Sequence, residues 1–150
     1  MKIFKFGGAS VKDAESVKNV TRILQSEGTE NTVVVISAMG KITNAFEEVI
    51  DAYYYKTDKL SDNLGVIEDF HKTIINDLFD KEDAIYKEID ILLGELSWFL
   101  ARNTSQRYNY VYDQIICFGE LLSTKIISAY LTKIGIENNW FDVRNYIKTD

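Results

Sequence analysis

The sequence predicts an α/β fold in which a small parallel sheet carries a large helical layer. A short strand, a glycine turn, a helix and a second strand follow one another within residues 2–36, which is the order of a βαβ unit. Such a unit has a right-handed crossover. The 150 residues contain no proline, which suits long, uninterrupted helices in the rest of the chain.

The first half of the βαβ unit is predicted from a change of pattern at the glycine pair. Residues 2–6 alternate apolar and basic side chains and stop at Gly7 and Gly8, as a strand does when it enters a tight turn. Ser10 or Asp13 is then the predicted cap of a helix that ends near Gly28.

The β-branched run at residues 32–36 predicts a second strand, buried on both faces of a parallel sheet. Apolar residues then recur at helical spacing, and a strand at 137–141 is expected to return to the sheet. The predicted helices cover residues 44–56, 62–79, 82–102 and 109–134. Three strands are few for a closed sheet. Residues 148–150 also carry no residue that typically ends a helix or strand. We therefore expect residues 1–150 to form only part of a larger fold.

Composition narrows the classes of function. The 17 Lys and Arg residues against 23 Asp and Glu give a net charge of −6, which argues against a general nucleic-acid surface. The sequence shows no apolar leader at residues 1–6 and no obvious membrane span, which predicts a cytoplasmic protein without membrane contact. Cys117 is the single cysteine, so no intrachain disulfide is possible, and no Cys/His spacing suggests a metal site.

Residues 5–11 (KFGGASV) combine a lysine, two glycines and a serine at the end of the first strand. Adjacent glycines let the backbone approach an anion closely, and Lys5 and Ser10 add a positive charge and a hydroxyl. The spacing fits neither the Walker pattern nor the dinucleotide fingerprint. From the residues alone, a phosphate site and an ordinary strand–turn–helix corner both stay open.

Four segments, taken together and in this order, resemble the signatures of aspartate kinases in the amino acid kinase superfamily. They are residues 5–11 (KFGGASV), 33–44 (VVVISAMGKITN), 118–123 (FGELLS) and 142–150 (DVRNYIKTD). The resemblance implies an amino-acid-kinase-like three-layer sandwich. Residues 1–150 would be the N-terminal portion of its catalytic domain, with the nucleotide-binding half and the regulatory ACT domains absent.

The resemblance also implies an activity: ATP-dependent phosphorylation of the side-chain carboxylate of L-aspartate, the first step toward lysine, threonine and methionine. ATP and Mg²⁺ would be required, and the full-length protein would be a homo-oligomer. We expect the 150 residues alone to be inactive. An acetylglutamate, glutamate or uridylate kinase is the nearest alternative, and a non-catalytic fragment that binds a ligand or a partner is the other.

On the phosphate side, the resemblance makes Lys5 the catalytic residue that stabilises charge on the transferring phosphoryl group. Gly7, Gly8 and Ser10 would line the phosphate path with it.

On the substrate side, the resemblance places Ser37 and Thr43 in the aspartate site and pairs Glu120 with the substrate amino group. Asp150 would lead toward further substrate and nucleotide contacts. From the residues alone, a helix cap is the preferred interpretation of Ser37. Arg144 is expected to be structural or near the rim of the site.

Two remaining reactive side chains are given structural interpretations. His71 is the single histidine and is expected to be a surface or satisfied helix residue. Cys117 is expected to be a small buried hydrophobe.

Overall fold

The computed structural model describes residues 1–147, which form a two-stranded sheet and six α-helices. The strands are β1 (Lys2–Phe6) and β2 (Thr32–Ile36). The helices are α1 (Ala14–Glu27), α2 (Ile42–Tyr54), α3 (Leu60–Leu78), α4 (Ile85–Arg102), α5 (Tyr108–Ile116) and α6 (Phe118–Lys133). Short 3₁₀ turns lie at Gly8–Val11 and Val143–Asn145.

The two strands pair in parallel, as the βαβ pattern predicts, with Lys2 opposite Thr32 and Phe6 opposite Ile36. Alternate residues point to opposite faces of a strand, and only one face of this sheet is covered by helices. On the other face Ile3, Val33 and Val35 are 65%, 45% and 48% exposed. The prediction that residues 32–36 are buried on both faces is therefore wrong for the described residues.

Helix α1 begins and ends where capping chemistry places its ends. The Asp13 side chain accepts a hydrogen bond from the Ser16 backbone N–H at 2.8 Å, so Asp13 rather than Ser10 is the cap. Gly28 ends the helix with φ of +80°, a conformation that favours glycine. Both ends agree with the sequence prediction.

The helical layer forms most of the core. Helix α2 packs against α3 and α5, and α4 packs against α6. The three helices predicted between residues 44 and 102 are all present, with bounds that agree to within about one helical turn. Helix α6 is largely enclosed and buries residues such as Phe118, Leu122 and Ile126.

The single helix predicted over residues 109–134 is in fact two helices. Its hydrogen-bonding pattern is interrupted at Cys117, which ends α5 and begins α6. The backbone at Cys117 keeps near-helical angles (φ −62°, ψ −20°), so the apolar residues on the two sides stay in phase. Hydrophobic spacing therefore does not reveal the break.

The strand predicted at residues 137–141 does not form. Side chains tie this segment to α6 instead: the Ser128 hydroxyl donates to Asn138 Oδ1 at 2.6 Å, and Trp140 Nε1 donates to Thr124 Oγ1 at 2.9 Å. Lys125 Nζ lies 4.1 Å from the centre of the Trp140 ring, within cation–π range. These contacts to a helix replace pairing with the sheet.

By length and mean hydropathy alone, residues Tyr108–Lys133 qualify as a membrane span, contrary to the sequence expectation. The stretch is 26 residues long, its most apolar window of 18 residues has a mean hydropathy of 1.4, and half of that window is buried inside the protein. Core helices pass the same test, and α5 and α6 both pack on α2.

His71 is neither a surface residue nor fully satisfied. Its side chain is 0% exposed on α3, and Nδ1 lies 2.7 Å from the Ile67 carbonyl oxygen. Nε2 has no hydrogen-bond partner within residues 1–147. Burial lowers the pKa of His71 to about 4, so the ring is neutral near pH 7.

Candidate active site

The loops that follow β1 and β2 cross at the carboxyl end of the sheet. Ser37 N–H donates to the Phe6 carbonyl at 3.0 Å, and Gly40 N–H donates to the Gly8 carbonyl at 2.9 Å. A Cβ atom on Gly8 would lie 2.6 Å from the Gly40 carbonyl oxygen and 2.8 Å from that of Ala38. The crossing therefore requires glycine at position 8.

Gly7 lies in a different environment from its neighbour. Its φ and ψ of −78° and 168° are those of extended backbone, which any residue adopts. A Cβ atom added at Gly7 would have nothing within 4 Å. Neither conformation nor crowding within the described residues requires glycine here, and the open space leaves room for a ligand to approach the backbone.

The glycine pair leads into the 3₁₀ turn Gly8–Val11 and not directly into a helix. The α-helix starts only at Ala14, and the Asp13 carboxylate already binds the N–H of Ser16 in its first turn. No α-helix therefore begins at the glycine turn itself, and the dipole of α1 acts three residues beyond Val11. Ser10 lies exposed in the 3₁₀ turn, and its backbone N–H donates to the Gly7 carbonyl at 2.9 Å.

Lys5 lies near the carboxyl end of β1, opposite Val35, on the uncovered face of the sheet. It is exposed and has no salt-bridge partner among the residues that the structure describes. Its charge is therefore available to a ligand above that face.

The start of α6 joins the loop after β2, although the two segments lie more than 80 residues apart in sequence. The Glu120 carboxylate oxygen Oε1 accepts a hydrogen bond from Ala38 N–H at 3.4 Å, and the Ser123 hydroxyl donates to the Ser37 carbonyl at 2.8 Å. A Cβ atom on Gly119 would lie 3.1 Å from the Ala38 Cβ, so the helix approaches the loop closely. Glu120 lies in the first turn of α6, where the helix dipole favours a negative charge.

Thr43 is half-buried in the first turn of α2, three residues beyond the crossing at Gly40. Of the residues predicted for the site, the structure thus connects Gly8, Ser37 and Glu120 through direct contacts of their loops and helix. Lys5, Gly7 and Ser10 belong to the same end of β1, and within residues 1–147 none of them forms a hydrogen bond to Glu120.

The fourth segment begins at the junction of α5 and α6. Arg144 donates to Asp142 at 2.7 Å and to the Cys117 sulfur at 3.5 Å. The Arg144 guanidinium lowers the pKa of the Asp142 carboxyl, and burial raises the pKa of the half-buried Cys117 thiol. Arg144 is exposed beside the junction of α5 and α6, and Asp150 lies outside the described residues.

Ser123 is the site residue that the sequence interpretation missed. It belongs to the same FGELLS segment as Glu120 and lies three positions later, on the same side of α6. That spacing was the available signal, but a serine inside an apolar helix does not reveal which carbonyl it binds.

This chain belongs to the amino acid kinase family, whose sequence model matches residues 1–149. Among the curated relatives, aspartokinase 2 of the Arabidopsis thaliana chloroplast is 32% identical over 157 residues, which cover 99% of this chain and 28% of that protein. The chloroplastic bifunctional aspartokinase/homoserine dehydrogenase of Daucus carota is 28% identical over 152 residues, or 97% of this chain and 16% of that protein.

Solved structures agree with this family and confirm the fold class, helix-rich with a small sheet. Escherichia coli aspartokinase III in complex with aspartate and ADP superposes with a TM-score of 0.80 at 27% identity, over 96% of this chain and 31% of that one. Clostridium acetobutylicum aspartate kinase shares the fold with a TM-score of 0.69 at 22% identity, over 88% of this chain and 29% of that one. The chain spans less than a third of the length of each of these relatives.

Proposed function

We propose that the protein carrying this chain transfers the γ-phosphoryl group of ATP to the side-chain carboxylate of L-aspartate, giving 4-phospho-L-aspartate. The observation that carries the proposal is the meeting of three segments at one end of the sheet: the glycine turn after β1, the Ser37 loop after β2, and Glu120 on α6. The aspartokinase relatives support the choice of substrate.

The glycine turn supplies the phosphate side. In phosphoryl transfer, catalysis consists mainly of positioning and of stabilising charge on the transferring group. The free ammonium of Lys5 would stabilise that charge, and the open backbone at Gly7 would let a phosphate approach. Gly8 would act indirectly because it lets the two loops cross, and Ser10 would add a hydroxyl.

The loop after β2 and the start of α6 supply the amino-acid side. A carboxylate such as Glu120 binds an ammonium group by a charge-assisted hydrogen bond and so selects an amino acid over a plain dicarboxylate. The hydroxyls of Ser37 and Thr43 would donate hydrogen bonds to the substrate. Ser37 is held close to Glu120 by the contacts between its loop and α6.

Mg²⁺ enters the proposal only as the ion that binds the phosphates of ATP. Within residues 1–147, no group of three or more His, Cys, Asp or Glu side chains is arranged to hold a metal ion. Magnesium in kinases commonly binds through one or two carboxylates together with substrate phosphates. Such a site is completed by the substrate phosphates, so Mg²⁺ would arrive bound to ATP.

We further propose that residues 1–150 are the N-terminal portion of the catalytic domain. The nucleotide-binding half and the regulatory ACT domains would belong to the part of a full-length protein beyond this match. The 150 residues alone would then lack turnover. A role in lysine, threonine and methionine synthesis, a cytoplasmic location and a homo-oligomeric full-length protein belong to the same proposal.

The test is ADP release from Mg-ATP by the natural full-length protein and by residues 1–150, each supplied with L-aspartate, L-glutamate, N-acetylglutamate or uridylate. We expect turnover with L-aspartate by the full-length protein alone. Turnover only with another acceptor would replace aspartate by that acceptor. Turnover by the 150 residues would refute the assignment of the nucleotide half to another part of the chain.

A further inference from the structure

One peptide group in the loop after β2 is held on both sides by α6. The Ser37 carbonyl accepts a hydrogen bond from the Ser123 hydroxyl at 2.8 Å, and the Ala38 N–H donates to Glu120 Oε1 at 3.4 Å. The carbonyl and the N–H belong to the same peptide bond, and in a trans peptide they point in opposite directions. Glu120 and Ser123 are three residues apart and therefore share one face of the helix.

Ser123 differs from the other buried polar residues in where its hydrogen bond goes. Thr21, His71 and Ser123 are the buried polar or charged side chains among the described residues. Thr21 and His71 bond to carbonyls of their own helices. Ser123 is 0% exposed and bonds instead to a loop 86 positions earlier in the chain. A buried hydroxyl is costly without a partner, so this contact fixes the loop to the helix.

We propose that Ser123 is a positioning residue of the amino-acid site. By binding the Ser37 carbonyl, it fixes the plane of the Ser37–Ala38 peptide. Because the plane is fixed, the Ala38 N–H stays hydrogen-bonded to Glu120 Oε1. The other carboxylate oxygen of Glu120, Oε2, has no donor within residues 1–147 and stays open to the ammonium group of an α-amino acid. The inference rests on the proposed function, because it assigns that ligand to Glu120.

Loss of the Ser123 hydroxyl would leave the Ser37 carbonyl unpaired and the peptide free to rotate. Glu120 would then lose its fixed orientation, and the amino-acid site would no longer be preorganised. Lys5 and the glycine turn are not part of this contact. The effect therefore falls on binding of the amino acid and not on binding of ATP or on the transfer itself.

The test is the steady-state kinetics of Ser123→Ala in the natural full-length protein. Ordering the freed loop on binding would cost about as much as one buried hydrogen bond contributes, about 1.4 kcal/mol, so KM for L-aspartate should rise about tenfold. KM for ATP and kcat should stay within about twofold of the wild type. Ser128→Ala is the matched control, since Ser128 lies on the same helix and loses a hydrogen bond to Asn138 instead.

Ser123→Cys keeps the shape of the side chain, with a larger sulfur atom, but replaces the hydroxyl by a weak donor. A KM for aspartate close to that of Ser123→Ala supports the proposal, whereas a wild-type KM in Ser123→Cys overturns it. An unchanged KM in Ser123→Ala, or an equal rise in KM for both substrates, overturns it as well.

Amide hydrogen exchange of the loop after β2 gives a readout that is independent of turnover. Exchange should be faster in Ser123→Ala than in Ser128→Ala, and equal exchange contradicts the assignment of Ser123. A wild-type protein that does not use L-aspartate refutes the proposed function, and the exchange comparison then still decides whether Ser123 holds the loop.

Discussion

At the scale of single residues, the two adjacent glycines have separate requirements. Gly8 lies where two loops cross, and the carbonyl oxygens of Ala38 and Gly40 leave no space for a side chain. Gly7 has extended backbone angles and open space above it. The sequence pattern treats the pair as one phosphate-binding feature, whereas the structure divides it into a packing residue and a residue beside open space.

The first prediction compares alanine at these two positions. Gly8→Ala should lower the free energy of unfolding by about 1–3 kcal/mol, because a Cβ less than 3 Å from backbone oxygens forces the loops apart. Gly7→Ala should leave the unfolding free energy within about 0.5 kcal/mol of the wild type, as is usual where nothing is crowded. Urea unfolding of residues 1–150 measures both values. Equal destabilisation by the two substitutions would contradict the conclusion that only position 8 requires glycine for packing.

The second prediction concerns Lys5, which is exposed and unpaired within residues 1–147. In the full-length protein, Lys5→Ala should lower kcat by about a hundredfold or more, because a charge aimed at the transition state acts mainly on turnover. KM for L-aspartate should change little. Lys81→Ala, an exposed lysine in the loop before α4, serves as the control. Near-normal turnover in Lys5→Ala would remove Lys5 from the mechanism.

At the scale of secondary structure, helices could be predicted from the sequence where capping residues and the spacing of apolar residues agree. The cap at Asp13, the glycine at the end of α1 and the helical spacing of apolar residues predict α1 to α4 closely. The break at Cys117 was not predictable, because both helices keep the same apolar phase. The strand at 137–141 failed because side-chain bonds from Asn138 and Trp140 to α6 take the place of sheet pairing.

The third prediction follows from the burial of His71 within α3. The pKa of His71 is about 4 in the folded protein and about 6.5 in an unfolded chain, so the unfolded state binds more protons between these values. Folding stability should therefore fall as the pH drops from about 6.5 to about 4, by about 3 kcal/mol in total. Above about pH 6.5, the titration of His71 should add no further pH dependence to the free energy of unfolding.

The measurement is urea unfolding of the wild type and of His71→Leu at a series of pH values. Carboxylates contribute equally to both proteins, so the difference between the two curves reports the histidine. A difference that grows as the pH falls agrees with a neutral, buried ring. Parallel curves would show that His71 is protonated without cost.

At the scale of the whole molecule, one face of the sheet carries exposed apolar side chains. Ile3, Val33 and Val35 lie side by side on this face, next to Lys5. Sequence reasoning predicted the shortage of strands but not which face would be open. It also predicted the amino-acid site only through family resemblance, since Glu120 and Ser37 are joined by tertiary contacts that no local pattern encodes.

The fourth prediction is that residues 1–150 self-associate through this face, because exposed apolar patches favour contact. Val33→Lys should shift sedimentation velocity profiles toward the monomer. Val66→Lys introduces the same change at an exposed valine on α3 and should have no such effect. A monomer at all concentrations, or an equal response of the two variants, would contradict the assignment of the face.

Glu120, brought to the loop after β2 by α6, is the proposed partner of the aspartate amino group. The most direct measurement is KM for L-aspartate in Glu120→Gln of the full-length protein, with Glu95→Gln on the exposed side of α4 as the control. Glutamine can still accept the Ala38 hydrogen bond but loses the charge, so KM should rise about tenfold or more. An unchanged KM for aspartate would show that Glu120 does not bind the amino group.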